Sequence, residues 1–131
     1  MNKKKFLEYK NIIEQSELVR RAEMEGNEEY PYYKIYTNYL MPGDDFLNVY
    51  IMPDEDCRFL YLHDQRNIFA NLSDYMPLTI ENVLEEVEAS GMEDWGHGEI
   101  VEIKGDSLSD FEEALKKYFE LCDKLRVKFG S

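Results

Sequence analysis

The sequence predicts an α+β fold in which helices cover one face of an antiparallel sheet. Amphipathic segments with helical spacing occupy both ends of the chain, and between them the hydrophobic period falls to two over residues rich in tyrosine and β-branched side chains. A sheet with one apolar face needs a cover, which the amphipathic helices supply. With 131 residues, 44% of them hydrophobic, the chain is expected to form a single domain, 1–131.

The first element is expected to be one long helix, from residue 2 to about residue 26. Apolar residues between Phe6 and Ala22 recur close to helical spacing with charged residues between them. Gly26 followed by Asn27 supplies the stop signal.

Four antiparallel strands are expected after this helix, because Pro-, Gly- and Asp-containing turns divide a segment of β-type composition. In the second strand Leu47, Val49 and Ile51 point to one face and their neighbours point to the other, so one of these faces belongs to the core. The expected strand ranges are about 30–40, 46–52, 57–63 and 67–72.

The rest of the chain is expected to form a helix, a fifth strand and a closing helix. Thr79 is a suitable N-cap for the first of these helices, and Gly91 is a suitable stop. The fifth strand is expected over 99–104, and Ser107 caps the closing helix. The apolar side of that helix is expected to be buried against the sheet, including Phe111, Leu115, Cys122 and Leu125.

Three runs between Asp45 and Leu125 follow one another in a recognisable order: "FLNVYIMPDEDCRFLYLHDQRNIFANLSDYM", "IENVLEEVEASGM" and "GEIVEIKGDSLSDFEEALKKYFELCDKL". This order resembles the prophage-associated family known as domain of unknown function 1828, with its short hairpin, His/Thr-Asp turn, acidic helix, "GEI" strand and capped last helix. The N-terminal helix and the tyrosine-rich first strand depart from that pattern. The resemblance implies a phage or mobile-element origin and carries over no catalytic residue.

The negative charge of the chain is concentrated in its middle. Residues 26–106 contain eighteen Asp and Glu against four Lys and Arg, a net charge of −14, whereas the whole chain carries −13. Such a charge produces a negative electrostatic potential of several kT around the protein. This potential repels nucleic acid and favours binding to a basic groove on another protein. The chain is therefore not expected to bind nucleic acid. It is not expected to span a membrane either, because it has no apolar run of about 18 residues.

Acidic residues fill the predicted turns. Asp44 and Asp45 lie in the first hairpin turn, residues 54–56 in the second, and Asp64 in the third. Successive turns of a meander alternate between the two ends of a sheet, so the first and third should lie together. With the acidic helix, these carboxylates could imitate the phosphates of a duplex; ordinary turn chemistry and solubility are the alternative explanations.

Aromatic residues form a second candidate surface. Ten tyrosines are present, and Tyr32, Tyr36, Tyr50 and Tyr61 fall on predicted strands, while Trp95 lies in a predicted loop. Tyr and Trp are enriched at protein interfaces and supply binding anchors. The alternative is that these tyrosines form a partly buried sheet face.

One enzyme-like pattern is present, because Asp54, Glu102 and Lys104 have the residue types of a metal-dependent nuclease. A solvent-facing ion pair between Glu102 and Lys104 is the favoured interpretation. His63 and His97 have no second ligand at zinc spacing, and the two cysteines, 57 and 122, match no metal or redox motif. No catalytic residue, metal or cofactor is therefore expected.

The sequence thus favours a non-enzymatic, cytosolic binding protein of phage or prophage origin that inhibits a basic nucleic-acid-binding protein of the host. Its most concrete form is an anti-CRISPR inhibitor that mimics DNA in the groove of a Cas effector. An antitoxin or regulatory subunit for a basic toxin and a small nuclease are the alternatives. The expected partner-binding residues are Asp44, Asp45, Asp54, Glu55, Asp56, Glu85, Glu88, Glu93, Asp94, Trp95, Tyr32 and Tyr50.

Overall fold

The computed structural model describes residues 3–27, 29–53, 60–94, 100–104 and 107–130. It contains an N-terminal helical segment, a mixed middle part and a long closing helix. The helices are α1 (Lys3–Glu8), α2 (Lys10–Ile13), α3 (Asn67–Leu72), α4 (Ile80–Ala89) and α5 (Leu108–Phe129). The strands are β1 (Val19–Gly26), β2 (Pro31–Met41), β3 (Asp45–Pro53), β4 (Leu60–His63), β5 (Glu93–Asp94) and β6 (Ile100–Lys104).

The strands form one sheet in the order β1-β2-β3-β4-β6-β5, and every neighbouring pair is antiparallel. Strands β1 to β4 are consecutive neighbours and form a four-stranded meander. Strand β6 returns beside β4 after two helices, with Glu102 opposite Leu62 in the backbone register. The predicted α+β class, the meander and the later strand are confirmed.

The prediction of one helix over residues 2–26 is wrong beyond Ile13. The segment 19–26 forms β1, in which Ala22 lies opposite Ile35 and is buried. The Ser16 hydroxyl accepts the N–H of Leu18, which turns the chain between helix and strand. Apolar residues at 18, 19 and 22 fit helical spacing, but pairing with β2 determines the structure of this segment.

The prediction of a strand over 67–72 is also wrong, because this segment is α3. Ile68 and Leu72 are both fully buried, and a separation of four residues places them on one helical face. The helix begins where the Asp64 carboxylate accepts the N–H groups of Arg66 and Ile68, at 3.0 and 3.1 Å. A short apolar run of this length does not by itself distinguish a strand from a helix.

The capping predictions for the last two long helices are confirmed. Thr79 and Asn82 bond reciprocally at the start of α4, and Gly91 follows its end with φ of 74°. At the start of α5 the Ser107 hydroxyl accepts the N–H of Asp110 at 3.0 Å. None of the helices within the described residues is long and apolar enough to cross a bilayer.

The core lies between the helices and one face of the sheet. Two tyrosines connect these layers: Tyr118 of α5 donates its hydroxyl to the carbonyl of Leu62 at 2.7 Å, and Tyr33 of β2 donates to that of Phe6 at 2.9 Å. The sheet contributes Leu47, Val49 and Ile51, which settles which side of β3 belongs to the core. The predicted core side of α5 is confirmed, since Phe111, Leu115, Cys122 and Leu125 are each at most 1% exposed.

Candidate binding site at one end of the sheet

The β2–β3 turn places two carboxylates at one end of the sheet. Gly43 and Asp44 adopt positive φ values of 83° and 61°, and both Asp44 and Asp45 are exposed. A Cβ on Gly43 would collide with the Tyr75 hydroxyl, so glycine satisfies both the backbone angle and this close approach. The turn therefore lies close against the segment that follows α3.

Helix α3 is attached to this hairpin by side-chain amides. Asn71 donates its Nδ2 to the carbonyl of Pro42 at 3.0 Å, and Asn67 donates its Nδ2 to the carbonyl of Asn48 at 3.3 Å. The first and third turns therefore lie at the same end of the sheet, as the alternation of a meander requires.

Asp64 does not belong to the acidic surface, which corrects the expectation for the third turn. Its side chain is fully buried, and its carboxylate accepts the N–H groups that begin α3. Ionised carboxylates that accept backbone N–H groups are satisfied without contact with solvent. Asp64 is therefore a structural residue.

A cleft of about 500 Å³ separates the hairpin from α3. A cleft of this size is within the range of small-ligand sites, roughly 300–1,000 Å³. Its polar lining consists mainly of carboxylates and amides, contributed by Asp44, Asp45, Asp74, Asn48, Asn67 and Asn71.

A positively charged side chain, Arg20, also lines the cleft, but it is already engaged. Its guanidinium lies 3.9 Å from the centre of the Phe46 ring, and its Nε donates to the carbonyl of Thr37 at 3.0 Å. Asp44, Asp45 and Asp74 have no ion-pair partner among the described residues. Three carboxylates against one guanidinium give this cleft a negative potential.

Two amide oxygens of the lining are left without a donor. The Oδ1 atoms of Asn48 and Asn71 are buried and have no hydrogen-bond partner within the described part of the chain. The orientation of the Asn71 amide is determined by its contact, because its Nδ2 donates to a carbonyl, where an oxygen would be repelled. Both oxygens have almost no accessible surface, so they lie beneath the wall of the cleft and are not open to its interior.

The sheet face opposite the core carries the tyrosines. The rings of Tyr32 and Tyr50 lie 6.1 Å apart, and Tyr50 stacks on His63 at 5.7 Å. Burial raises the pKa of the Tyr50 phenol, which stays protonated at neutral pH. Lys34 lies 4.9 Å from the Tyr36 ring, so this face pairs its cations with aromatic rings. The interpretation of a partly buried sheet face thus describes Tyr32 and Tyr50.

The acidic helix presents a second group of carboxylates. Glu81, Glu85 and Glu88 recur at spacings of four and three, which places them on one face of α4, and all three are exposed. Glu86 differs, since it accepts a hydrogen bond from Lys128 at 2.8 Å. Glu93 and Asp94 form the short β5, which pairs with β6.

Several residues singled out in the sequence lie outside the described residues. They are Asp54, Glu55, Asp56, Cys57, Trp95 and His97. The nuclease pattern is therefore described only in part: Glu102 and Lys104 both lie on β6, opposite Leu62 and Leu60. Among the described residues no group of three or more His, Cys, Asp or Glu could hold a metal ion.

The lining residues Arg20, Asn67, Asn71 and Asp74 were not predicted as site residues. Arg20 fell within the expected first helix, and the two asparagines fell within the expected fourth strand. Asparagine is common in turns, so its presence near position 67 does not indicate a binding site. The sequence did place Asp44 correctly in the hairpin turn, whereas Asp45 is the first residue of the strand that follows.

Comparisons of this chain with protein-family models, with curated proteins and with solved structures gave no match. The resemblance to the prophage-associated family over residues 45–125 remains an expectation.

Proposed function

We propose that this chain is an acidic binding protein that occupies the basic groove of a nucleic-acid-handling protein and so competes with nucleic acid. The observation that carries the proposal is a set of exposed carboxylates with no ion-pair partner among the described residues. They are Asp44, Asp45, Asp74, Glu81, Glu85 and Glu88.

Unpaired surface carboxylates raise the negative potential and attract a cationic partner over distances of a Debye length. Lys and Arg that bind phosphates in such a groove would pair equally with these carboxylates. The most specific form of the proposal is an anti-CRISPR inhibitor of a Cas effector in the cytosol of a host cell. The resemblance to a prophage-associated family favours that form.

A competition assay tests the proposal. A fluorescent target duplex is bound to guide-loaded Cas effectors, and this protein is titrated in at 50, 150 and 300 mM NaCl. We expect displacement of the duplex, with an inhibition constant that rises with salt because screening weakens the charge contacts.

Matched charge-removal variants test whether the hairpin carboxylates are responsible for displacing the duplex. Asp44→Asn with Asp45→Asn should weaken inhibition about five- to tenfold at low salt, as expected for the loss of two partly exposed ion pairs. Glu8→Gln with Glu29→Gln removes the same charge from exposed positions outside the cleft and should have a smaller effect. Simultaneous binding of duplex and this protein at full affinity, with no salt dependence, would contradict the proposal.

A further inference from the structure

We infer that this protein associates head to tail with a second copy of itself, through a basic helix face at one edge of the sheet and an acidic helix face at the other. The basic face consists of Lys4, Leu7 and Lys10, and the acidic face consists of Glu81, Leu84 and Glu88. The inference does not depend on the proposed function. It rests on opposite charge, on two exposed leucines and on the positions of the two helices.

The N-terminal helical segment and α4 carry opposite charges. Helices α1 and α2 together contain four lysines and one glutamate, a net charge of +3. Helix α4 contains four glutamates and no lysine or arginine, a net charge of −4. The N-terminal segment is therefore a basic surface on a chain whose net charge is −13. Surfaces of opposite charge attract each other within a Debye length, about 8 Å at physiological ionic strength.

The basic face has an exposed leucine between its lysines. Leu7 lies three residues after Lys4 and three residues before Lys10, and it is 51% exposed. The backbone stays close to helical between α1 and α2, since Tyr9 has φ of −66° and ψ of −21°. Residues three apart are neighbours on a helix surface, so the two lysines flank the leucine.

The acidic face has the same arrangement with the opposite sign. Leu84 lies three residues after Glu81 and four before Glu88, and it is 37% exposed. Both glutamates are exposed and have no ion-pair partner among the described residues. Contact between the two faces would bury both leucines and place lysines opposite glutamates.

The spacing of the charges matches across such a contact. At a rise of 1.5 Å per residue, Lys4 and Lys10 are about 9 Å apart along the helix, and Glu81 and Glu88 are about 10.5 Å apart. Lys10 also lies 3.6 Å from Glu14, but both side chains are more than 40% exposed. An exposed pair of this kind is weak enough to exchange partners. Two lysine–glutamate pairs can therefore form in one contact.

The two faces cannot meet within one molecule. Helix α2 packs against β1 and α4 packs against β5, the two edge strands of the described sheet. Five spacings of about 4.8 Å separate these strands, roughly 24 Å, which is about three Debye lengths. Each copy therefore carries both halves of a contact, and contacts between two different patches generate chains of molecules. Such short helices bury less than the roughly 1,200 Å² of a stable interface, so the association is weak and reversible.

Sedimentation velocity of the whole chain, from 20 µM to 1 mM protein, tests the inference. We expect the average sedimentation coefficient to rise with concentration at 20 mM NaCl and to stay constant at 300 mM NaCl, because salt screens the ion pairs. Glu81→Lys with Glu88→Lys should abolish the rise. This double variant lowers the net charge from −13 to −9, so general repulsion between copies predicts the opposite result, a larger rise.

A charge exchange between the two faces provides the decisive comparison. Lys4→Glu with Lys10→Glu should also abolish the rise, whereas a one-to-one mixture of the two double variants should restore it. In the mixture every face again has a neighbour of opposite charge. Circular dichroism checks that each variant is folded.

A matched control changes the same charge away from both faces. Asp45→Lys with Asp74→Lys also gives a net charge of −9, at exposed positions outside both faces, and should retain the rise. A constant sedimentation coefficient for the unaltered protein at 20 mM NaCl would overturn the inference. A larger rise for the Glu81 and Glu88 variant, or no recovery in the mixture, would overturn it as well.

Discussion

A single buried carboxylate shows how one residue type serves two purposes in this chain. Asp64 and Asp44 both follow strands and both occupy turns, yet Asp64 is fully buried at the start of α3 and Asp44 is exposed. Aspartate favours both positions because its carboxylate accepts nearby N–H groups. The sequence therefore predicted the turn at Asp64 and could not predict its burial, which depends on how α3 packs.

Cys122 illustrates the opposite case, in which the sequence was sufficient. It lies on the apolar side of α5 and is fully buried, as its spacing with Phe111 and Leu115 predicted. Burial raises the pKa of the Cys122 thiol, and the carboxylates of Asp64 and Asp123 raise it further. The thiol is therefore protonated in the folded protein throughout the physiological range.

This raised pKa predicts a loss of stability in alkali. In the unfolded chain the thiol ionises near its ordinary pKa of 9.0, whereas the folded state keeps the proton, so stability is complete below pH 9 and falls above it. The test compares the Cys57→Ser protein with the double variant Cys57→Ser, Cys122→Ala. Between pH 9 and 10 the free energy of unfolding should fall by about 1 kcal/mol more in the protein that keeps Cys122. Urea titrations at each pH measure this difference. Parallel pH profiles for the two proteins would show that Cys122 ionises in the folded state.

At the scale of elements, the signals with a side-chain mechanism were reliable and the short apolar runs were not. Thr79 and Ser107 marked the starts of α4 and α5 because their hydroxyls accept specific N–H groups. The segment 19–26 forms a strand because it pairs with β2. The segment 67–72 forms a helix because the Asp64 carboxylate accepts an N–H group of its first turn. The first outcome depends on pairing with a strand that comes later in the chain, and the second on a carboxylate three residues before the segment. Periodicity within the segment reports neither.

The closing helix provides the element-scale prediction. Leu115 is 0% exposed in the centre of α5, whereas Val127 near its end is 85% exposed. Leu115→Ala should lower the free energy of unfolding by about 2–5 kcal/mol because it leaves a cavity in the core. Val127→Ala should change it by less than about 0.5 kcal/mol. Urea unfolding of both variants checks this, and equal effects would mean that α5 does not cover the sheet as described.

At the scale of the whole molecule, the cleft is assembled from segments that are far apart in sequence. Arg20 comes from β1, Asp44 and Asp45 come from the hairpin, and Asn71 comes from α3. The alternation of turns predicted that the hairpin and the region near residue 67 would meet. The amides that line the meeting point, and the position of Arg20, depended on the two elements that the sequence misassigned.

The net charge of −13 predicts how the fold responds to salt. Repulsion among unpaired carboxylates destabilises the compact state, and added salt screens it. Raising NaCl from 10 to 150 mM should increase the melting temperature by about 2–5 °C, because the Debye length falls from about 30 to about 8 Å. Calorimetry measures the change, and Asp44→Asn with Asp45→Asn should reduce it. A melting temperature that falls with salt would show that attractive pairs outweigh repulsion.

The order of elements along the chain also sets the timing of folding during synthesis. The meander β1 to β4 is complete at His63, but α5, which covers its apolar face, ends at Phe129. At elongation rates of about 5–20 residues per second, the ribosome needs roughly 3–13 s to add that distance. Throughout that interval the nascent sheet lacks the helix whose Tyr118 hydroxyl bonds the Leu62 carbonyl of β4. The apolar sheet surface that α5 covers therefore stays open to non-native association until the last helix is made.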